Sequence, residues 1–177
     1  IAGDYTPRTE STATVENRRG VVSTAVSSLK DRRFNTSYGA CYYPWVQIRD
    51  TVDGATLWAP PSVVALGVMA SSERASEVWF APAGFNRGGL TDGAAGIPVV
   101  GVRQRLSKKD RDQLYEQAIN PIAKFPSEGI VIFGQKTLQA RQSALDRVNV
   151  RRLMIYLKKE VSRRATKVLF DQNVEAT

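Results

Sequence analysis

A proline inside an aromatic, apolar run constrains the fold of this chain more than any other feature. The run reads Ala-Cys-Tyr-Tyr-Pro-Trp-Val-Gln-Ile. Pro44 has no backbone N–H, so a strand that contains it must lie at a sheet edge or be bulged there. Each aromatic neighbour would bury about 150–250 Å². We therefore expect an edge or bulged strand over residues 38–49, with Tyr42, Tyr43, Pro44 and Trp45 in the core.

Two consecutive prolines open an apolar helix soon after this strand. Pro60 and Pro61 precede the run Ser-Val-Val-Ala-Leu-Gly-Val. Proline fits the first helical turn because the N–H that it lacks would have no partner there. The apolar run leaves no polar face, so the helix is expected in the interior of the fold.

The strongest amphipathic pattern belongs to a helix that is predicted to run from an Asn149 cap to about residue 170. Its apolar face recurs at steps of three and four. The side chains on this face are Val150, Leu153, Met154, Leu157, Val161, Ala165 and Val168. We expect Leu153, Leu157 and Val161 in particular to be core residues.

Another face of the same helix carries a basic stripe. It consists of Arg152, Lys159, Arg163 and Lys167. Like charges at helical spacing repel one another by a few tenths of a kcal/mol per pair. This cost favours docking on an acidic surface, and solvation of an exposed face remains the alternative.

The rest of the pattern indicates a mixed α/β fold. A polar helix is expected over residues 15–33, and a helix capped by Ser107 and Asp110 is expected to stop at Asn120. The run Gly-Ile-Val-Ile-Phe-Gly from Gly129 is typical of a short buried strand. Prolines and glycines concentrated over residues 81–101 indicate turns and a boundary between two lobes. The predicted architecture is a mixed sheet flanked by helices.

Missing residue types exclude most catalytic chemistry. The chain contains no histidine and one cysteine, Cys41. It therefore has neither the usual general base nor the commonest metal ligand, and it cannot form an internal disulfide or a multi-thiolate zinc site. No catalytic, cofactor-binding or metal-binding residue is predicted, and the protein is expected not to be an enzyme.

Three short patterns resemble functional motifs but have simpler explanations. The run from Gly129 to Thr137 is one residue away from a phosphate-binding loop, but its interior favours an extended, buried strand. Ser27 and Lys30 match the Ser-x-x-Lys pattern of serine acyl-enzymes without its companion motifs. The carboxylates of Asp110 and Asp112 are expected to be solvated charges.

The net charge of +8 makes an acidic partner plausible. A basic nucleic-acid-binding module is the alternative function, but the aromatic residues cluster in the apolar strand instead of forming a stacking surface. The sequence therefore argues against nucleic acid as a partner. No apolar run approaches the roughly 20 residues that span a bilayer, and no membrane contact is expected.

Six segments, taken in order, resemble the contractile tail sheath proteins of long-tailed bacteriophages, a family shared with R-type pyocin and type VI secretion sheaths. They run from the aromatic strand to the last helix. The segments are Tyr42-Tyr43-Pro44-Trp45-Val46, Pro60-Pro61-Ser62, Trp79-Phe80-Ala81-Pro82-Ala83-Gly84, Ile119-Asn120-Pro121-Ile122, Gly134-Gln135-Lys136-Thr137-Leu138 and Asp146-Arg147-Val148-Asn149-Val150-Arg151-Arg152-Leu153.

This resemblance implies a structural role in a virion tail that is assembled in the host cytoplasm. Such proteins polymerise as helical rings around a tail tube and contract to drive the tube through the host envelope. The expected partners are other sheath subunits and the tail tube protein, and the basic stripe would contact the tube or a neighbouring subunit.

The resemblance also implies how the chain is divided. Residues 1–101 resemble the end of a subtilisin-like sheath domain, and residues 102–177 resemble the start of the sheath C-terminal domain. The chain begins with Ile1 instead of Met. It is interpreted as an internal fragment, expected to be monomeric without its terminal arms.

Overall fold

The computed structural model describes residues 2–4, 15–91 and 96–170, in which strands and helices alternate irregularly. The strands are β1 (Ala2–Asp4), β2 (Ala40–Tyr43), β3 (Val46–Arg49), β4 (Thr56–Ala59), β5 (Val99–Val102), β6 (Ile119–Phe125) and β7 (Gly129–Ile132). The α-helices are α1 (Val15–Asp31), α2 (Pro61–Ala75), α3 (Lys108–Glu116) and α4 (Val148–Ala165). Short 3-10 helices span Ala144–Asp146 and Thr166–Val168.

The strands form two sheets. The larger sheet has the order β1-β2-β6-β7, in which β1, β2 and β6 are parallel and β7 is antiparallel to β6. The smaller sheet is antiparallel throughout, with the order β4-β3-β5. The expected mixed α/β architecture is therefore confirmed.

The aromatic run forms two strands in different sheets, so the prediction of one edge or bulged strand was wrong. β2 ends before Pro44 and lies between β1 and β6, whereas β3 begins after Trp45 and lies at the centre of the smaller sheet. The peptide bond between Tyr43 and Pro44 is cis. Since the ladder stops at Pro44, its missing N–H removes no sheet hydrogen bond. Tyr42, Tyr43 and Pro44 are buried as expected, but Trp45 is only half-buried.

The larger sheet lies between two apolar clusters. Successive side chains of a strand point to opposite faces, so Tyr42 packs on one side of β2 and Cys41 and Tyr43 pack on the other. The Tyr42 side is covered by α2 and the smaller sheet, and the opposite side is covered by α1 and α3. The fold thus has a three-layer body with β2 near its centre.

Helix α2 is not interior on all sides, which corrects the expectation drawn from its apolar run. Pro60 is its N-cap residue, and its face with Val64, Ala65 and Val68 is buried. Its opposite face exposes Val63 and Leu66, with Leu66 at 63%. A helix that packs on a sheet buries one face, and periodicity alone does not show whether another protein covers the second.

Helix α3 begins as expected and ends earlier. Ser107 and Asp110 form a reciprocal capping box, so Asp110 is a buried capping residue rather than a solvated charge, whereas Asp112 is exposed. The helix ends at Glu116 because Ala118 takes a positive φ of 60°. The residues at Asn120 belong to β6, which corrects the expected stop at that position.

The motif-like segments take the simpler structures. β7 is extended and buried, so the run from Gly129 has no phosphate-binding curl. Ser27 is exposed and donates its hydroxyl hydrogen bond to the carbonyl of Ser23 in its own helix. No helix in the described ranges is both long enough and apolar enough to cross a membrane.

The expected lobe boundary does not appear as a break in the sheets. The junction of residues 101 and 102 falls within β5, and β2 pairs with β6 across it. The assignment of residues 1–101 and 102–177 to two family domains stays a prediction.

Asn120 joins three backbone groups in the centre of the larger sheet. Its side chain is fully buried, and its amide donates to the carbonyls of Cys41 at 3.0 Å and Lys136 at 2.8 Å. Its carbonyl oxygen accepts from the Lys136 N–H at 2.6 Å. One side chain thus ties β2 and β6 to the segment that follows β7.

We expect Asn120→Ala to lower the free energy of unfolding by about 3 kcal/mol or more, because it leaves buried backbone groups without partners. Urea denaturation measures this change. The matched control is Asn35→Ala, which removes one exposed hydrogen bond to the Ala140 N–H and should cost less than about 1 kcal/mol. Equal losses for the two variants would contradict the role assigned to Asn120.

Candidate functional site on the last helix

Helix α4 is fixed to the body at its first turn. Arg147 is its N-cap residue, so the predicted Asn149 cap was wrong. The Val148 N–H donates to the Gln135 carbonyl at 2.8 Å. The Asn149 side-chain amide donates instead to the Trp79 carbonyl at 3.3 Å. These bonds set the direction in which α4 leaves the body.

Two arginines fix the second turn. Arg152 donates to the carboxylate of Glu73 on α2 at 2.7 Å, and only 17% of its side chain is exposed. Arg151 donates to the Ser37 hydroxyl, and its guanidinium carbon lies 4.2 Å from the centre of the Tyr38 ring. Arg152 therefore belongs to the contact between α4 and the body, and not to a free basic stripe.

Further along α4, the ring of Tyr156 packs against the ring of Trp79 on the body, and the two ring centres are 5.7 Å apart. Beyond Tyr156 the helix projects from the body. We call residues 157–170 the distal segment. Every residue in it is exposed except Glu160, which is half-buried.

The core role that was expected for Leu157 and Val161 is therefore wrong within this chain. Leu157 is 43% exposed and Val161 is 63% exposed, whereas Leu153 is half-buried near the anchor. These side chains do lie on one apolar face of α4, but beyond Tyr156 no other element in the described part of the chain packs against that face. The exposed apolar side chains of the distal segment are Leu157, Val161, Val168, Leu169 and Phe170.

The remaining members of the basic stripe lie on the distal segment. Lys159, Arg163 and Lys167 are all exposed. Arg163 donates to the carboxylate of Glu160 at 2.6 Å, and such an ion pair on a helix surface contributes little to stability. The distal segment thus combines an uncovered apolar face with an excess of positive charge.

This arrangement suits docking more than chemistry. Helices in proteins gain most of their stability from packing of an apolar face, and the positive charges favour an acidic partner surface. The described residues contain no group of three or more His, Cys, Asp or Glu side chains placed to hold a metal ion.

A strongly perturbed acid-base group, the phenol of Tyr42, lies in the core. Burial raises the pKa of the Tyr42 phenol far above its ordinary value; nearby Cys41 raises it further, and Arg152 opposes the shift. The phenol therefore stays neutral and serves packing.

In the 177-residue chain, we expect backbone amides of residues 157–165 to exchange hydrogen on the order of tenfold or more faster than those of residues 151–156. The reason is that only the second group is packed against the body. Hydrogen exchange followed by mass spectrometry measures the difference. Equal protection along the whole helix would show that the distal segment is covered.

Comparison with known proteins gives consistent sequence and structural matches. No family model matches the chain. The tail sheath protein of Enterobacteria phage T4 is 33% identical over 152 residues, which is 85% of this chain and 22% of that protein. The tail sheath protein of Vibrio phage KVP40 is 38% identical over 128 residues, covering 72% of this chain and 18% of that protein. The chain spans about a fifth of the length of these curated relatives.

A solved structure shows the same fold. It is the PVC sheath complex of an extracellular contractile injection system in the contracted state, which superposes with a TM-score of 0.66 at 24% identity. The match covers 94% of this chain and 41% of that chain.

Proposed function

Because this chain is a homologue of the phage tail sheath proteins over the segment that it spans, we propose that it forms the body of a contractile sheath subunit. The subunit would polymerise around a tail tube and contract to drive the tube through the host envelope. The homology over 85% of the chain carries this proposal. The subunit would act in the virion tail after assembly in the host cytoplasm, and its role would be structural and not enzymatic.

Two properties of the body support a mechanical role. The larger sheet is packed on both faces, and Asn120 ties its centre to the segment that leads into α4. Such a body can move as a unit while its contacts with neighbours change, which is how packed assemblies switch between states.

The proposed domain assignment follows the relatives. Residues 1–101 would close a subtilisin-like sheath domain, and residues 102–177 would open the sheath C-terminal domain. The two parts share their sheets here, so they would move together during contraction. The 177-residue chain by itself would be monomeric.

The distal segment is the proposed contact with the tail tube or with an adjacent sheath subunit. Its exposed apolar face provides area to bury, and Lys159, Arg163 and Lys167 provide attraction to an acidic surface. Arg152 would contribute indirectly, because its ion pair with Glu73 fixes the angle of α4.

Reversing two charges tests the electrostatic part of this contact. In the full-length protein, Lys159→Glu with Arg163→Glu should weaken assembly on tail tubes, since both side chains are exposed and the acidic partner would then be repelled. Sheath assembly on purified tubes is counted by electron microscopy. The control, Lys108→Glu with Lys109→Glu, makes the same charge change on exposed residues of α3. Equal assembly by both variants would discard the electrostatic contact.

Removing apolar side chains from the distal segment tests the apolar part of the proposed contact. Leu157→Ser with Val161→Ser should change the unfolding free energy of the 177-residue chain by less than about 1 kcal/mol, since these side chains are already exposed. The same changes should reduce assembly of the full-length protein. Urea denaturation and electron microscopy measure the two effects. A large loss of stability, or full assembly, would contradict the proposed role of this face.

A further inference from the structure

A small groove lies between α2 and the anchored half of α4. Its volume is about 210 Å³. The residues that matter here are Tyr38, Leu66, Met69, Arg151, Arg152 and Ile155, and we call the site the α2–α4 groove. Tyr38 and Leu66 are more than half exposed at its rim.

The volume of the groove limits what can occupy it. Small-molecule sites usually measure about 300–1,000 Å³, so the α2–α4 groove is too small for most ligands of that kind. One medium-sized side chain of a neighbouring protein fits such a space. Its apolar lining favours an apolar side chain.

The charges of the groove point to an acidic residue beside that side chain. Arg151 and Arg152 both line the groove. Arg152 pairs with the exposed carboxylate of Glu73, whereas Arg151 donates to the uncharged Ser37 hydroxyl. The groove therefore carries net positive charge, which attracts a further carboxylate.

The turn between β3 and β4 presents an exposed apolar side chain with a carboxylate residue on either side of it. Val52 is 94% exposed and lies between Asp50 and Asp53. The Asp50 carboxylate accepts the Val52 N–H at 2.8 Å, and the Asp53 carboxylate accepts the Ala55 N–H at 2.9 Å. These bonds hold the turn in one shape. We call residues 50–53 the Val52 tip.

Phe170 is the other apolar side chain that is more than nine-tenths exposed in the described residues. It follows Arg164 and Lys167 on the basic distal segment, and their charges would be repelled by Arg151 and Arg152. Charge complementarity therefore selects the Val52 tip.

We propose that the Val52 tip of one copy of this chain inserts into the α2–α4 groove of the next copy. Val52 enters the groove, and the carboxylates of Asp50 and Asp53 approach the positive charge of Arg151 and Arg152. This inference rests on the proposed function, in which many copies assemble side by side.

The contact joins two different surfaces. A heterologous contact of this type repeats from copy to copy and generates an open helix unless the rotation closes a ring. One turn in one groove buries far less than the roughly 1,200 Å² of a stable complex. The isolated chain therefore stays monomeric in dilute solution, and the contact gains strength only where many copies are held together.

Disulfide trapping tests the contact on the 177-residue chain. A Val52→Cys chain is mixed with a Leu66→Cys chain under mild oxidation, and the mixed dimer is quantified on non-reducing gels. Cys41 is fully buried and should not compete. The control mixes the same Val52→Cys chain with a Val100→Cys chain. We expect the dimer with Leu66→Cys to form about tenfold faster than the control dimer, because docking raises the local concentration of the thiols. Val100 is exposed on β5 and does not line the groove.

A second pair of variants isolates the charges. Asp50→Asn and Asp53→Asn, added to the Val52→Cys chain, keep an oxygen acceptor for each turn hydrogen bond and remove both negative charges. These changes, or added salt, should slow the coupling to Leu66→Cys.

The outcomes separate the possibilities. Equal coupling to Leu66→Cys and Val100→Cys would overturn the proposed contact, and selective coupling that ignores charge and salt would overturn the carboxylate pairing. The proposed sheath function is tested by tube assembly of the full-length protein. Failure of the trapping experiment alone therefore leaves that function standing.

Discussion

The alternation of side chains along β2 organises the whole structure. Tyr42 enters the cluster formed with α2 and the smaller sheet, while Cys41 and Tyr43 enter the cluster formed with α1 and α3. Because β2 lies between β1 and β6, all three layers meet at these few residues. The β2 ladder then ends at Pro44, and the chain continues into β3. Val46 of β3 packs in the same cluster as Tyr42.

A chain of polar contacts links this centre to α4. Asn120 holds the backbone of Lys136, and the Lys136 ammonium donates to the Tyr115 carbonyl at 2.9 Å near the end of α3. Arg147, the residue immediately before α4, donates to the Tyr115 hydroxyl. The base of α4 is therefore connected through hydrogen bonds to the middle of the larger sheet.

Much of the fold could be predicted from sequence because local chemistry fixes it. The Ser107 capping box, the buried strand at β7 and the burial of Tyr42, Tyr43 and Pro44 follow from residue types and spacing. The break at Pro44 was missed because a missing N–H is compatible with an edge, a bulge or the end of a strand.

The site was harder to predict. Helical periodicity showed that Leu157 and Val161 share an apolar face, but it carries no information about which molecule covers that face, and the same applies to Leu66 on α2. Arg152 shares the spacing of the basic stripe, yet only the fold shows that Glu73 lies beside it. The α2–α4 groove is lined by residues from four separate segments, so no local pattern could have indicated it.

The anchored base of α4 makes the helix a lever. Its 18 residues extend about 27 Å at 1.5 Å per residue. Because the first two turns are held by Gln135, Glu73 and Ser37, a tilt of the body is passed to the far end once the distal segment is packed against a partner. A tilt of about 10° would displace that end by roughly 5 Å, about one helical turn. Small angular changes between bodies would thus become shifts large enough to exchange one set of side-chain neighbours for another.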